Sequence, residues 1–173
     1  MKTVLVVIDM QNDFITGALG SPAAQAIVPA VAKKIGQYKE RGCEVVFTRD
    51  THGEDYLDTQ EGRRLPVAHC SKGTAGWQIA DALDTDGCKL IDKPAFGSIE
   101  LARYLKERGF GRVELCGLVS SICVVSNALI IKAHMPECEI TLDAACTAGV
   151  TDEDYKASLT VMKSCQVEVS GEA

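Results

Sequence analysis

Five consecutive apolar residues near the start of the chain, residues 4–8 with the sequence VLVVI, constrain the fold most strongly. A strand with one face in water would alternate apolar and polar side chains, whereas an unbroken apolar run is typical of a parallel strand buried on both faces. Similar short β-rich runs recur along the chain and alternate with helical patterns. The pattern therefore predicts an α/β domain in three layers, a doubly wound parallel sheet with helices packed on both faces.

The periodicity of the apolar residues predicts where the strands and helices lie. We expect five strands and a sixth candidate at residues 3–9, 43–49, 88–93, 112–116, 137–142 and 166–170. We expect helices at residues 23–41, 77–83, 99–108, 121–134 and 152–163. The one long irregular stretch, residues 51–75, contains two of the three histidines. Long loops in compact domains often carry function.

Length, composition and charge restrict the classes of function. The chain has 173 residues, 46% of them hydrophobic, so we expect a single domain over residues 1–173. A net charge of −6 without a concentrated basic stripe disfavours nucleic acid and anionic membranes as partners, and favours a small-molecule substrate. No apolar run is long enough to cross a bilayer and no segment resembles an export signal, so we expect a cytoplasmic protein.

The eight cysteines do not suggest a disulfide framework. They are scattered, and no two are spaced as CxxC. Several fall inside predicted strands, where a free cysteine behaves as a small core hydrophobe. A thiol redox protein is disfavoured, because Cys123 has no partner two residues away and Cys116 belongs to a strand. Packing is therefore the default role of most of the thiols.

Reactive side chains follow several of the predicted strands. Asp9 closes the first strand, Asp50 the second and Lys93 the third, while Cys123 lies shortly after the fourth. Each alone has a structural explanation: a turn cap, a surface lysine or a core thiol. Parallel strands end at one edge of the sheet, however, and ligands bind in the crevice there. The convergence of three reactive residue types at this edge predicts an active site.

The chemistry of this set favours a cysteine nucleophile. A thiol with an unperturbed pKa of about 8.5 is mostly protonated at neutral pH and needs a base, or a cation that favours the thiolate. Asp9 can be the base and Lys93 the cation, and the start of the helix that carries Cys123 offers N–H groups that can hold an oxyanion.

The loop adds a candidate metal group. Asp50, His52 and His69 offer one carboxylate and two imidazoles, a set that suits zinc, iron or manganese at a catalytic site. His134 is assigned to a helix terminus without a catalytic role.

Five segments, in order along the chain, resemble the isochorismatase-like cysteine hydrolases and, within them, the nicotinamidase and pyrazinamidase branch. They are residues 7–14 (VIDMQNDF), 48–52 (TRDTH), 69–74 (HCSKGT), 92–98 (DKPAFGS) and 117–124 (GLVSSICV). The resemblance implies a six-stranded parallel sheet in the order 3-2-1-4-5-6 and a catalytic triad of Asp9, Lys93 and Cys123. It also implies an amidohydrolase of NAD metabolism that converts nicotinamide to nicotinate and ammonia through a thioester.

The resemblance extends to the surroundings of the triad. It implies a cis peptide bond between Leu118 and Val119, with the N–H groups of Val119 and Cys123 forming the oxyanion hole. It implies a metal site made of Asp50, His52 and His69, with Glu61 as a candidate for an additional ligand and zinc as the expected ion. Phe14 and Trp77 are candidate aromatic residues of the substrate pocket, although a core role for Trp77 is equally compatible with the sequence.

Two alternatives stay open. The same triad can serve another small amide, such as a carbamoyl compound or ureide. The chain can also be a non-catalytic flavodoxin-like module, although residues 10–13 after the first strand offer no glycine-rich phosphate cradle. Residues 122–133 are apolar on nearly every side of the predicted helix, and a homo-oligomer is expected.

Overall fold

The structure is a computed structural model and describes residues 1–172, within which six strands form one parallel sheet. The strands are β1 (Thr3–Ile8), β2 (Glu44–Asp50), β3 (Lys89–Lys93), β4 (Arg112–Leu118), β5 (Glu139–Ala148) and β6 (Glu168–Ser170). Their order across the sheet is β3-β2-β1-β4-β5-β6. The predicted fold class and strand order are therefore confirmed.

Helices cover both faces of this sheet. They are α1 (Asn12–Ile15), α2 (Pro22–Glu40), α3 (Gln60–Arg64), α4 (Ile99–Glu107), α5 (Val125–His134) and α6 (Asp152–Ser164). A single turn of 3-10 helix (Tyr56–Asp58) precedes α3, and a π-helical turn (Ser120–Val124) precedes α5. Within residues 1–172, no helix is both long and apolar enough to span a membrane.

The apolar run in β1 supplies both cores of the domain. Val4, Val6 and Ile8 pack beneath α4, α5 and α6, whereas Leu5 and Val7 face the opposite side and pack with α2. All five side chains are fully buried. The central strand is apolar throughout because helices cover it on both sides.

The prediction of a helix at residues 77–83 is wrong. The segment lies in turns, and its backbone bonds to the turn after β1: Asn12 N donates to Gln78 O and Ala80 N donates to Met10 O, both at 3.0 Å. Its apolar residues, Trp77, Ile79 and Leu83, still pack into the core. The periodicity therefore reflects burial against α2 and β1 and not a helix.

The end of β4 is held against β1 by a glycine that no other residue can replace without strain. Gly117 has φ +112°, and a Cβ on it would lie 2.1 Å from the carbonyl oxygen of Ile8. On the other side of β4 the register with β5 shifts between Leu115 and Gly117, so β5 runs six residues beyond its predicted end at Leu142. This close approach brings the chain after β4 next to the end of β1.

Candidate active site

The carboxyl ends of the four neighbouring strands β1 to β4 bring the predicted reactive residues together. Asp50 and Lys93 are the last residues of β2 and β3, and Asp9 directly follows β1. Asp9 has φ 47°, a left-handed conformation that few non-glycine residues adopt. Such backbone geometry is concentrated at functional sites, where the surrounding structure enforces it. Cys123 lies in the π-helical turn after β4.

Lys93 connects these groups. Its Nζ lies 2.7 Å from Asp9 Oδ2 and 3.1 Å from Asp50 Oδ1, and it donates to Ala95 O at 3.0 Å. Cys123 Sγ is 3.5 Å from the same Nζ. The Lys93 side chain has no solvent exposure. A buried ammonium with two carboxylates stays charged, and although burial opposes it, the Asp9 carboxylate contributes most to raising the pKa of Lys93.

Thr48 holds Asp9 from the neighbouring strand. The Thr48 hydroxyl donates to Asp9 Oδ1 at 2.6 Å and accepts a hydrogen bond from Asp9 N at 3.2 Å. Burial raises the pKa of Asp9, as does the Asp50 carboxylate, while Lys93 and the Thr48 hydroxyl act to lower it. These opposing influences suit a group that must take up a proton and return it near neutral pH.

The sequence predicts surroundings of Cys123 that favour the thiolate, whereas the structure shows surroundings that oppose it. The residue is 4% exposed. Burial raises the pKa of the Cys123 thiol well above its usual range, the Asp9 carboxylate raises it further, and Lys93 only partly opposes them. These surroundings favour the protonated thiol, so a base would have to remove its proton before the sulfur could react as a nucleophile.

The backbone around Cys123 is fixed on both sides. The peptide bond between Leu118 and Val119 is cis, as the resemblance implies. On the other side, Asn127 Nδ2 donates to Cys123 O at 2.8 Å, and Asn127 Oδ1 accepts from Ser98 N at 2.9 Å. Asn127 is fully buried. It ties the turn that carries Cys123 to the segment after Lys93, a role the sequence analysis did not assign.

A candidate metal group adjoins the triad residues. One ligand atom from each of Asp50, His52, Glu61 and His69 lies within 4.8 Å of all the others. Asp50 Oδ2 is 3.0 Å from His52 Nε2 and 3.7 Å from His69 Nε2. Two imidazoles and two carboxylates converging in this way fit a divalent ion such as zinc, iron or manganese. The structure thus brings Glu61 into the same group as the three residues singled out first.

Other contacts orient the candidate ligands. His69 Nδ1 lies 2.8 Å from Val67 O, which directs Nε2 towards the group. Burial opposes ionisation of Asp50, but the hydrogen bond with His52, the nearby His69 imidazole and the Lys93 ammonium hold the pKa of its carboxyl well below the usual range. The Tyr56 ring packs against both histidines, with ring centroids 4.5 and 5.0 Å away.

Gln11 is a buried residue that the sequence analysis missed. Its Oε1 accepts from Asp50 N at 2.7 Å, and its Nε2 donates to Asp50 O at 2.9 Å and to Trp77 O at 2.8 Å. Gln11 therefore fixes the end of β2 relative to the turn after β1. The available signal was a glutamine two residues after the predicted end of the first strand, inside the segment VIDMQNDF.

A cavity of about 300 Å³ opens onto both groups. Its lining includes Cys123, Val119 and Phe14 together with three of the candidate metal ligands, Asp50, Glu61 and His69. Trp77 is not among the lining residues within the described part of the chain. Its Nε1 donates to Thr51 Oγ1 at 2.8 Å, and the Arg49 guanidinium stacks 3.7 Å from its ring. The structure thus places Phe14 at the cavity and Trp77 in the core beneath it.

Comparison with known proteins agrees with this arrangement. The family model for the isochorismatase domain matches residues 3–173. The chain belongs to the isochorismatase family. Among solved structures, the present chain is similar to a pyrazinamidase of Pyrococcus horikoshii crystallised with zinc. The two share 32% identity and a TM-score of 0.88, over 99% of this chain and 100% of the other.

Curated relatives point to the same branch of the isochorismatase family. The chain is 27% identical to the nicotinamidase/pyrazinamidase of Mycobacterium tuberculosis, over 95% of this chain and 96% of the relative. It is 29% identical to a probable inactive nicotinamidase of Arabidopsis thaliana, over 96% of this chain and 91% of the relative. The expected membership of the nicotinamidase branch, among hydrolases of amide C–N bonds, is confirmed. It favours an enzyme over the flavodoxin-like module.

Proposed function

We propose that this protein is a metal-dependent nicotinamidase that hydrolyses nicotinamide to nicotinate and ammonia through a thioester on Cys123. The observation that carries the proposal is the meeting of two groups at one small cavity. Cys123, whose sulfur lies 3.5 Å from Lys93 Nζ, lines this cavity together with Asp50, Glu61 and His69. A cavity of about 300 Å³ suits a compact aromatic amide.

In the first half of the proposed reaction, Cys123 Sγ attacks the amide carbonyl carbon. Asp9 takes the thiol proton and passes it to the amide nitrogen, so the C–N bond breaks and ammonia leaves. Lys93 stays protonated and offsets the negative charge carried first by Asp9 and then by sulfur. The N–H groups of Val119 and Cys123 receive the carbonyl oxygen as its negative charge develops.

In the second half, water attacks the thioester carbon. Asp9, which is ionised again once ammonia has left, takes a proton from the water and returns one to the departing sulfur. The products are nicotinic acid, which releases a proton to solvent to become nicotinate, and the free thiol of Cys123, so the residues of the triad end in their starting state. Because burial raises the pKa of Cys123, its thiolate would be a poor leaving group, and the proton that Asp9 returns to the sulfur is needed for this step.

Asp50, His52, Glu61 and His69 would hold the metal ion in this proposal. A bound divalent cation would supply an open coordination position for the pyridine nitrogen of the substrate. Asp50, Glu61 and His69 line the same cavity as Cys123, so such an ion would be held beside the reacting amide. Phe14, whose ring centroid lies 5.6 Å from that of His69, provides an apolar wall for the substrate ring.

Ammonia release by the zinc-loaded protein tests the proposal. We expect turnover of nicotinamide and pyrazinamide, none by Cys123→Ala, and normal turnover by Cys88→Ala, which removes a partly exposed thiol elsewhere. A thioester adduct on Cys123 should be visible by mass spectrometry of acid-quenched enzyme.

A panel of N-carbamoyl compounds and ureides tests the alternative. Hydrolysis of one of these, without hydrolysis of nicotinamide, would keep the nucleophile and replace the substrate. Retained nicotinamide turnover by Cys123→Ala would refute the nucleophile.

A further inference from the structure

A second and larger cavity adjoins the candidate active site. Its volume is about 740 Å³, compared with about 300 Å³ for the cavity at Cys123. Both cavities are lined by Glu61, Leu65, Phe96 and Ile122, so these four residues form the boundary between them. We call the larger cavity the vestibule. We call the smaller cavity at Cys123 the inner cavity. Because nicotinamide would occupy only the inner cavity, the proposed reaction leaves the vestibule unused.

The vestibule has one permanently charged cation in its lining, Arg64 at the end of α3. The nearest acid in the same helix, Glu61, is turned towards the candidate metal group, with its Oε1 3.8 Å from His52 Nε2 and 3.9 Å from His69 Nε2. The neighbouring Arg63 donates from its guanidinium to the carbonyl of Asp58 instead. Arg64 is thus the basic residue of this turn that lines the vestibule.

The other walls suit an elongated ligand. Phe96 and Ile122 are large apolar residues with 45% and 36% exposure, and both lie at the boundary with the inner cavity. Exposed apolar side chains at the mouth of a cavity gain stability when a ligand covers them. Gln60, Ser121 and Ser126 add hydrogen-bonding groups to the lining. The vestibule therefore combines exposed apolar side chains with polar groups and the cation of Arg64.

We propose that the vestibule is a second substrate subsite, in which Arg64 binds the anionic end of an aromatic amide longer than nicotinamide. The inference rests on the proposed function for the position of the amide, which would lie in the inner cavity beside Cys123. The ligand class is a heteroaromatic amide with a short apolar chain that ends in a carboxylate or phosphate. A guanidinium binds either anion through paired N–H groups.

Binding measurements on zinc-loaded Cys123→Ala protein test the subsite without turnover. The probes are nicotinamides that carry, at ring carbon 5 or 6, a carboxyethyl, a hydroxypropyl or an aminopropyl chain. We expect the carboxyethyl compound of at least one series to bind about threefold to tenfold more tightly than its hydroxypropyl analogue, the range for a partly exposed charge pair. Arg64→Gln should abolish this preference, and Arg64→Glu should transfer it to the aminopropyl compound.

Arg63→Gln is the matched control, since it removes the same charge from the same turn. It should leave the preference unchanged. The inference is overturned if carboxyethyl and hydroxypropyl compounds bind equally in both series, or if Arg64→Glu leaves the preference unaltered. Competitive inhibition of the wild-type enzyme by the same probes gives a second measurement, should Cys123→Ala fold poorly.

The nicotinamidase proposal and the subsite proposal can be refuted independently of each other. If nicotinamide is hydrolysed but no probe shows a preference that depends on Arg64, the subsite is refuted and the nicotinamidase proposal stands. If nicotinamide is not hydrolysed but the preference is present, the nicotinamidase proposal is refuted and the subsite stands. A phosphonoethyl compound that binds more tightly than the carboxyethyl one would identify phosphate as the preferred anion.

Discussion

Replacing Thr48 by valine should impair catalysis while preserving the shape of the core. Valine is close to threonine in size, suits a β-strand and lacks the hydroxyl. Thr48→Val leaves Asp9 Oδ1 without its 2.6 Å donor and Asp9 N without its 3.2 Å acceptor, in a place with no solvent exposure. Hydrogen bonds to charged groups contribute about 1.5–3 kcal/mol, so we expect the free energy of unfolding to fall by about that amount.

The same substitution should change activity in a way that depends on pH. Because the Thr48 hydroxyl stabilises ionised Asp9 and so lowers its pKa, its loss raises the pKa of Asp9. If Asp9 is the base, the acidic limb of the kcat/KM profile for nicotinamide then moves to higher pH. Mispositioning of the carboxylate should also lower kcat/KM about 10- to 100-fold, which corresponds to about 1.4–2.7 kcal/mol.

Thr48→Ser is the matched control, because serine keeps the hydroxyl and loses only a methyl group. It should cost about 1 kcal/mol in stability and leave the pH profile in place. Urea unfolding and steady-state kinetics between pH 4 and about 9 measure both effects. If Thr48→Val retains wild-type kcat/KM and an unmoved acidic limb, Asp9 is not the base or Thr48 does not orient it.

Three further predictions concern the metal and the backbone. Asp50→Ala and His52→Ala should each reduce the amount of metal bound to the protein, as measured by elemental analysis. His134→Ala, at the end of α5, should not reduce it. Equal metal content in all three variants would refute the metal site. A chelator should lower the melting temperature of the protein, and added zinc should restore it, because an ion that binds only the folded protein stabilises the folded state. A melting temperature that the chelator leaves unchanged would contradict the presence of such a site. Gly117→Ala should lower the free energy of unfolding by at least about 3 kcal/mol or prevent folding. Gly36 has open space around it in α2, so Gly36→Ala should raise the free energy of unfolding by about 0.5–1 kcal/mol. Similar stability of the two variants would contradict this account of Gly117.

The apolar runs in the sequence predict the strands well, because strands that are buried on both faces of a sheet consist of consecutive apolar residues. The predicted starts and ends of the first four strands lie within two residues of those observed. The short helix α3 was missed, because five polar and small residues (QEGRR) carry no apolar periodicity. Its cap, Thr59 accepting from Gly62 N, becomes clear only from the fold of the loop.

The grouping of the candidate residues was predictable where residue type alone points to chemistry. Asp9, Lys93, Cys123 and the candidate metal ligands all end or follow strands or lie in the histidine-bearing loop. Thr48 and Gln11 were not predictable in the same way, because their roles depend on partners 39 residues distant in the chain. A buried threonine in an apolar strand is usually a packing residue, and only the neighbouring strand reveals its partner.

Asp50 uses both of its carboxylate oxygens, with Oδ1 at Lys93 and Oδ2 at His52. Lys93 and the candidate metal group therefore share a residue and are not two separate modules. Replacing Asp50 to abolish the candidate metal group would also remove a negative charge from Lys93. A redesign that removes this group must therefore adjust the Asp9–Lys93 pair in the same step.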